Sequence, residues 1–326
     1  MSPPATLFPM GSPAWDLFRK EGIRTGTASW TDKSLLEPGL FYPSGVSKPE
    51  QRLAFYAEQF PIVEVDATYY ALPSEKNSEA WVARTPDDFL FNVKAFSLMT
   101  QHPTNARGLP KDLRESLPDE TLEKPRIYPR DLPPAVIDET WTRFFAALRP
   151  LHAGHKLGAV LFQFPEWFPP SRANRSYLVE AGDRVAAELP GVACAVEFRN
   201  EGWMRDDERQ KRSLELLREH GLAYVCVDMP QGFPTSIPPV AEATAPLAVV
   251  RFHGRRKDTW GSRNITTHDK FGYDYSQAEL TEWEPKIEHL ADTAREVHVL
   301  MNNCYRDYAV SSARRMAQLG LGLLDV

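Results

Sequence analysis

Charged and amide side chains alternate with apolar ones in five short segments of the sequence. In the first segment, Val63 and Val65 are separated by Glu64 and followed by Asp66. Successive side chains of an extended strand point to opposite faces, so each segment places its polar residues on one face. The five segments are Val63-Glu64-Val65-Asp66, Phe91-Asn92-Val93-Lys94, Val196-Glu197-Phe198-Arg199, Val225-Cys226-Val227-Asp228 and Val250-Arg251-Phe252-His253. The pattern predicts strands that pack an apolar face on helices and turn charged groups to the other side.

These polar residue types could hold an anion and transfer protons. We expect Lys94 and Arg251 to bind the negative charge of a substrate. A carboxyl group near other carboxyl groups can keep a raised pKa, so Glu64 is predicted to act as general acid or base with Glu197 as its partner. The predicted catalytic residues are Glu64, Glu197, Lys94 and Asp228. The predicted substrate-binding residues are Asp66, Gln163, Arg199, Arg251, His253, Arg255, Asn302, Asn303, Tyr69 and Trp30.

Eight apolar runs separated by helix-like segments would position these residues. The candidate strands are Arg24–Ser29, Ile62–Thr68, Phe89–Ala95, Ala159–Phe164, Ala193–Arg199, Ala223–Asp228, Ala248–His253 and Val297–Asn302. The candidate helices span residues 50–60, 75–85, 138–153, 172–189, 206–220, 276–295 and 308–320. Regular alternation of strands and helices indicates a parallel sheet, and eight units predict an α/β fold of the TIM-like (β/α)₈ barrel type. The polar residues come near the ends of their strands, where such barrels carry their active sites.

The domain organisation predicted from this pattern is a single barrel with two additions. Residues 1–21 form an N-terminal extension, and residues 22–326 form the barrel. A long polar segment rich in proline, at about residues 101–135, is inserted after the third strand. Loops of this length are usually functional, and this one would lie over the open end of the barrel. The proline-rich stretch from Pro230 to Pro246 is expected to carry a weak helix or none.

Composition and charge indicate a globular protein. The cations Lys94 and Arg251 favour a small anionic ligand as its partner. Apolar residues make up 42% and charged residues 25% of the 326 residues, which is typical of folded domains. A net charge of −6 gives no broad basic field, so nucleic acid remains an open but less favoured partner. The three scattered cysteines, the lack of a signal-like start and the lack of an apolar run of about 18 residues predict a cytoplasmic protein without a membrane partner. Nothing in the pattern selects an oligomeric state.

Eight short motifs occur in an order that identifies a family. The motifs are Gly26-Thr27-Ala28-Ser29-Trp30, Phe41-Tyr42-Pro43, Val63-Glu64-Val65-Asp66-Ala67-Thr68-Tyr69-Tyr70, Phe91-Asn92-Val93-Lys94, Leu161-Phe162-Gln163-Phe164-Pro165, Ala195-Val196-Glu197-Phe198-Arg199, Arg251-Phe252-His253-Gly254-Arg255 and Asn302-Asn303. Together they resemble the YecE-like family, also called domain of unknown function 72, over roughly residues 22–320. The resemblance implies a TIM-like barrel and no established reaction. The long insertion resembles a long-loop branch of that family. Where many members have an acidic, histidine-containing stretch after the two asparagines, this chain has Cys304-Tyr305-Arg306-Asp307.

Several functions are consistent with these residues. We favour a hydrolase or lyase that acts on a sugar phosphate, nucleotide or phosphodiester by acid–base catalysis. A non-catalytic binding or sensor protein could use the same pocket. No cofactor is predicted, but carboxylates such as Glu64, Glu197 and Asp228 could hold Mg²⁺ or Mn²⁺ in a metal-dependent phosphoesterase or nucleic-acid-processing enzyme. A further alternative is a salt-bridge network that fills the barrel and binds nothing. A glycosidase is disfavoured, because the strand ends that carry its carboxylates in many barrels carry Gln163 and Arg251 here.

Overall fold

Eight parallel strands close into a barrel in the computed structural model, which describes residues 22–37, 39–262 and 271–319. The strands are β1 (Ile23–Ala28), β2 (Ile62–Val65), β3 (Leu90–Lys94), β4 (Leu157–Gln163), β5 (Ala193–Glu197), β6 (Ala223–Asp228), β7 (Leu247–Phe252) and β8 (Glu296–Met301). Five register pairs between β1 and β8, from Ile23↔Val297 to Thr27↔Met301, complete the ring of strands. The TIM-like barrel predicted from the sequence is therefore confirmed.

Helices follow most of the strands and cover the outside of the barrel. Within the described residues they are α1 (Pro49–Gln59), α2 (Glu75–Ala83), α3 (Lys111–Glu115), α4 (Asp119–Leu122), α5 (Pro134–Ala153), α6 (Arg172–Glu188), α7 (Asp207–Glu219), α8 (Lys257–Trp260), α9 (Gln277–Thr281), α10 (Glu284–Thr293) and α11 (Tyr308–Leu319). None of them is both long and apolar enough to cross a membrane. The described connection between β6 and β7 contains no helix, as its prolines predict.

The two largest differences between the predicted and the observed helices both occur at prolines. Helix α5 begins at Pro134 rather than at residue 138, because proline has no N–H to lose in the first turn of a helix. The single helix predicted over residues 276–295 is two helices, α9 and α10. Pro285 lies in the first turn of α10, and its missing N–H favours a new helix start over a continuous helix.

The inserted segment between β3 and α5 is ordered and packed. It contains α3 and α4, and residues Thr104 and Ile127 form an antiparallel bridge in which each N–H donates to the other's carbonyl over 2.8 Å. Leu109, Leu117 and Ile127 are buried in the main hydrophobic core. The insertion is thus attached to the barrel by apolar contacts. The predicted N-terminal extension, residues 1–21, lies outside the described residues.

The outer faces of the strands pack against aromatic side chains. Phe198, just past β5, stacks on Trp203 with ring centroids 4.4 Å apart. Phe252 of β7 meets Trp283 edge to face at 5.2 Å. This packing fixes the orientation of the strands, so the residues between them point into the barrel. It is this inward set that builds the site.

Candidate functional site at the carboxyl-terminal mouth

A buried ionic ring joins three strands across the barrel. Arg251 of β7 donates from Nε and Nη2 to the two oxygens of Glu64 on β2, over 2.9 and 2.5 Å, and from Nη1 to Glu197 of β5. Arg199, two residues beyond Glu197, donates from Nε to the other oxygen of Glu197 over 2.6 Å. Arg251 and the two glutamates are at most 1% exposed. Two carboxylates and two guanidinium groups therefore neutralise each other at the floor of the mouth.

His253 and Asn302 complete this ionic ring on the β7–β8 side. The His253 Nε2 atom lies 3.2 Å from Glu197 and 3.0 Å from Arg199 Nη2. The Asn302 amide nitrogen lies 2.8 Å from the other ring nitrogen of His253. Burial and the neighbouring Arg199 lower the pKa of His253 to about 3. The imidazole is neutral at cellular pH and serves to orient its neighbours.

The protonation of the two glutamates follows from their partners. Burial opposes the ionisation of Glu197, but the guanidinium groups beside it hold its pKa well below the usual range. Burial raises the pKa of Glu64 against the attraction of Arg251. Because both Glu64 oxygens accept charge-assisted hydrogen bonds, the geometry is that of a carboxylate. The ion pair with Arg251 stabilises the ionised form of Glu64, which disfavours the general-acid role predicted for it.

Lys94 stands apart from this network although it lies among its charges. It ends β3, and its Nζ lies 4.7 Å from the centre of the Tyr69 ring. Among the described residues, no carboxylate oxygen comes within 4.0 Å of that nitrogen. Burial, followed by the charge of Arg251, lowers the pKa of Lys94 to about 8. Lys94 is thus a half-buried residue whose amine has no ion-pair partner in the described part of the chain.

Asp66 is a second uncommitted group beside Lys94. Its carboxylate accepts no hydrogen bond from any other side chain in the described part of the chain. Burial is the main cause that raises its pKa, and Asp32 adds to the effect, while Lys94 opposes it. The short turn after β2 fixes this arrangement, since the Thr68 hydroxyl lies 2.5 Å from the Lys94 carbonyl oxygen, a hydrogen-bonding distance. Asp66 and Lys94 therefore project from two strand ends that are tied together.

A cavity of about 170 Å³ opens above the ionic ring. It is lined by His102, Gln163, Pro165, Glu166, Trp167, Arg199, Thr235, Trp260 and Phe271. The guanidinium group of Arg199 lies over the Trp260 ring at 5.5 Å, and Trp167 is 51% exposed at the rim. Gln163 turns an amide into the cavity from the end of β4. The lining combines a cation, an amide and aromatic faces.

His102 enters this cavity from the start of the insertion. A left-handed Gln101, with φ of 62°, turns the chain back, and the Thr100 hydroxyl lies 2.9 Å from His102 Nδ1. The imidazole packs edge to face between Tyr69 at 5.3 Å and Trp167 at 5.6 Å. Burial, Lys94 and Arg199 lower its pKa to about 3, so the ring is neutral. His102 is not among the predicted binding residues, and its position just past the end of β3 is the sequence signal that points to it.

The barrel interior holds a second polar layer below the mouth. His298 of β8 lies with Nδ1 3.1 Å from the Asn92 amide oxygen and with Nε2 3.3 Å from Glu296. Glu296 also accepts a 2.5 Å hydrogen bond from Arg24. This layer is closed by its own contacts and lies at the amino-terminal half of the strands. The alternation Glu296-Val-His298 in the sequence is the signal that could have found it.

The predictions that Asp228 and Arg255 lie with the other site residues are wrong. Asp228 accepts hydrogen bonds from Arg255, from the Tyr275 hydroxyl and from the indole of Trp283, all on the helix side of the barrel. Its strand β6 has the opposite orientation to the one predicted, so that Val225 and Val227 face the interior. Both faces of a barrel strand are buried, and apolar alternation alone does not distinguish them. Asp228 and Arg255 line a separate cavity of about 300 Å³.

Trp30 and Asn303 also lie away from the mouth cavity. The Trp30 ring packs edge to face on Trp81 and Phe91 in the apolar layer, with centroids 5.9 and 6.4 Å away. The Asn303 amide donates to the Tyr273 carbonyl over 2.7 Å and is fully buried. Both residues pack within the fold and do not line this cavity, so a binding role for them stays a prediction.

The hypothetical carboxylate metal site is not formed by the residues suggested for it. Arg251 bridges Glu64 and Glu197, and Asp228 points to the helix layer. Across the described residues, no group of three or more His, Cys, Asp or Glu side chains is arranged to hold a metal ion.

The fold and the mouth define a class of protein, a single (β/α)₈ barrel whose charged residues converge on its carboxyl-terminal end. The family description "Protein of unknown function DUF72" matches residues 24–322, and the chain belongs to this family. The UPF0759 protein YunF of Bacillus subtilis is 32% identical over 303 residues, which cover 91% of this chain and 94% of YunF.

Solved structures of two relatives have the same fold. A DUF72 family protein of Thermotoga maritima is 28% identical and superposes with a TM-score of 0.68, covering 91% of this chain and 98% of that one. A DUF72 family protein of Enterococcus faecalis is 26% identical, with a TM-score of 0.65 and coverage of 83% and 94%. The family resemblance inferred from the eight motifs is confirmed.

Proposed function

We propose that the protein is an enzyme, a hydrolase or lyase, that binds an anionic substrate at the barrel mouth and transfers a proton through Lys94. The observation that carries this proposal is the position of Lys94, which lies half-buried among buried ions yet is paired with none of the described carboxylates. A group that serves only the fold would be expected to have a partner, since unpaired buried charges are costly. Proton transfer needs a group that can change its charge, and a lowered pKa supports that role.

Arg199 is the residue that we assign to the substrate's anion. Two of its nitrogens are used by Glu197 and His253, while Nη1 has no partner among the described residues and the side chain lines the cavity. The three nitrogens of Arg251, in contrast, are all taken by glutamate oxygens. Arg251 therefore supports the site, and the anion-binding role expected for it passes to Arg199 together with Lys94.

The aromatic lining favours a substrate with a flat or apolar face. Trp167, Trp260 and Phe271 all line the cavity. Sugar rings and nucleobases stack on such surfaces, so a sugar phosphate or a nucleotide fits this cavity. All three cysteines are unpaired, which supports activity in the reducing cytoplasm.

A two-stage experiment tests the proposal. Phosphorylated sugars and nucleotides are screened by thermal shift, and each ligand found is then assayed for turnover. We expect Arg199→Met to weaken binding by about 10- to 100-fold, because a charge-assisted hydrogen bond is lost. The matched control is Arg149→Met, since Arg149 is 61% exposed on α5 and should leave binding unchanged. We expect Lys94→Met to lower turnover by about 10²- to 10⁴-fold.

The outcomes separate the candidate functions. Binding that depends on Arg199 without turnover of any ligand would identify a sensor and overturn the catalytic part. Equal binding by Arg199→Met and the wild type would overturn the anion assignment.

A further inference from the structure

We infer that Lys94 forms a covalent imine with an aldehyde or ketone substrate, which makes the protein a lyase for carbonyl compounds. This inference rests on the proposed function, because it specifies the chemistry of the same site. It is carried by three features of the geometry. Within the described residues no carboxylate oxygen lies within ion-pair distance of the amine, the carboxyl group of Asp66 is near enough to influence it electrostatically, and ring contacts through Tyr69 and His102 connect it to the cavity that Arg199 lines.

The first feature concerns the amine itself. A lysine locked in a salt bridge keeps its proton, and its lone pair is then unavailable to attack a carbonyl carbon. Lys94 Nζ instead lies over the face of Tyr69 at 4.7 Å, with no described carboxylate within 4.0 Å. The charged and titratable groups around it from the packed elements are Asp66 and Glu64 from β2 and its end, Glu197 from β5, Arg251 from β7 and His102 from the insertion.

These surroundings favour the neutral amine. Burial is the largest influence on Lys94 and lowers its pKa to about 8, and Arg251 acts in the same direction against the three carboxylates. A lysine with an ordinary pKa of 10.5 is almost wholly protonated at neutral pH. The fraction of molecules in which Lys94 is neutral is therefore more than about a hundredfold larger. The neutral amine is the form that imine formation needs.

The second feature supplies the proton transfers. The Lys94 lone pair forms a C–N bond to the carbonyl carbon, and the C=O π pair moves to oxygen, which takes a proton from the Asp66 carboxylic acid. The nitrogen then loses one proton to Asp66, and Asp66 returns this proton to the hydroxyl group, which leaves as water while the nitrogen lone pair forms C=N. The resulting iminium nitrogen gives its remaining proton to the Asp66 carboxylate, which restores the carboxylic acid. One carbonyl and one amine thus give one imine and one water, and nothing is oxidised or reduced. Burial raises the pKa of Asp66, as a proton donor requires.

The third feature selects the substrate class. A chain of ring contacts leads from Lys94 through Tyr69 and His102 to Trp167 at the cavity rim. Arg199 lines that cavity, and its Nη1 atom has no partner among the described residues. A carbonyl compound that carries a phosphate or carboxylate group could therefore place its anion near Arg199 and its carbonyl carbon near Lys94. Imine formation at such a carbon makes the adjacent C–C or C–H bond easier to break, which is lyase chemistry.

Reductive trapping tests the inference on the whole chain. Pyridoxal phosphate, an anionic aldehyde, is added at neutral pH with borohydride, and the modified lysines are located and quantified by peptide mass spectrometry. We expect Lys94 to be labelled at least about tenfold faster than Lys111 and Lys211. The side chains of Lys111 and Lys211 are 77% and 76% exposed, so exposure alone would give the opposite order. Asp66→Asn should slow labelling at Lys94 and leave labelling at Lys111 unchanged.

One control variant and two distinct outcomes make the test decisive. Lys94→Arg keeps the positive charge and should lose the fast label while still binding phosphate compounds through Arg199. If labelling follows exposure, with Lys94 no faster than Lys111, the imine is overturned. The proposed function fails separately, if Arg199→Met leaves the binding of phosphate compounds unchanged.

Discussion

Lys94 is the residue whose charge the barrel controls most directly. Its neighbours on three strands and its burial act on one amine that makes no ion pair among the described residues. The folded chain therefore binds a proton there less readily than the unfolded chain does. This difference couples the pH to the free energy of unfolding.

We expect Lys94→Met to change the pH dependence of stability between pH 8 and 10.5. Burial lowers the pKa of Lys94 from 10.5 to about 8, so within this window the unfolded chain holds more protons at this position than the folded chain. The sign of the linkage means that the free energy of unfolding of the wild type rises with pH relative to Lys94→Met, by up to about 3 kcal/mol. Urea unfolding at a series of pH values measures the difference.

Lys111→Met provides the comparison for this experiment. Lys111 is 77% exposed in an i, i+4 pair with Glu115, so the difference between this variant and the wild type should not vary with pH. A constant difference for Lys94→Met as well would contradict the lowered pKa.

At the residue scale the sequence predicted which side chains meet at the site better than it predicted what each of them does there. Alternation correctly selected Glu64, Glu197, Arg199 and Arg251, which the structure joins in one ionic ring. It failed for Asp228, because β6 is apolar on its inner face and the pattern was assigned to the wrong side. The roles of single residues depend on which atoms are left without partners, and only the three-dimensional contacts of Lys94 and Arg251 reveal that.

The insertion is the element that brings a loop residue into the cavity at the mouth of this barrel. Its first residues carry His102 into the cavity, and its later residues pack on the core through Ile127, which is fully buried. Its polar contacts are less buried than its apolar ones. Arg143 of α5 binds Asp112 of α3, and their side chains are 34% and 63% exposed. Apolar contacts should therefore hold the element in place.

We expect Ile127→Ala to loosen the insertion and Asp112→Ala to have little effect. The first change removes buried methyl groups at the Thr104–Ile127 bridge and should cost about 2–4 kcal/mol of local stability. The second removes a solvent-exposed ion pair, which contributes little to stability. Limited trypsin digestion, with the cleavage sites mapped by mass spectrometry, should show faster cutting of residues 101–133 in Ile127→Ala alone. Faster cutting in Asp112→Ala to the same degree would mean that polar contacts hold the element.

At the element scale the barrel could be predicted almost completely. Eight apolar runs became eight strands, because repeated strand–helix units leave few ways to bury both faces of a sheet. The short helices α3, α4 and α8 were not predicted, since segments of four or five residues carry too little periodicity to detect. The break between α9 and α10 could have been inferred from Pro285.

On the scale of the whole molecule, Arg251 ties β7 to two strands across the interior. It contacts Glu64 and Glu197, and each of these residues belongs to a different part of the closed sheet. Removing its charge would leave two carboxylates buried side by side. The loss of stability should therefore affect the entire barrel rather than one strand.

We expect Arg251→Met to lower the free energy of unfolding by about 3–5 kcal/mol, because buried Glu64 loses its ion-pair partner and buried Glu197 keeps only Arg199. Arg212→Met, which breaks an exposed i, i+4 pair with Glu208 on α7, should cost about 1 kcal/mol or less. Urea denaturation followed by circular dichroism measures both. Similar losses in the two variants would contradict the structural role of the ionic ring.

The pairing of β1 with β8 has a consequence for association with other proteins. Each of the eight described barrel strands is hydrogen-bonded on both sides, so none offers a row of free backbone groups. Partners that bind by adding a strand to a sheet edge have no template here. The same closure protects partly destabilised variants from edge-to-edge aggregation until the β1–β8 seam opens. Any complex with this barrel must therefore be made through its helices and loops.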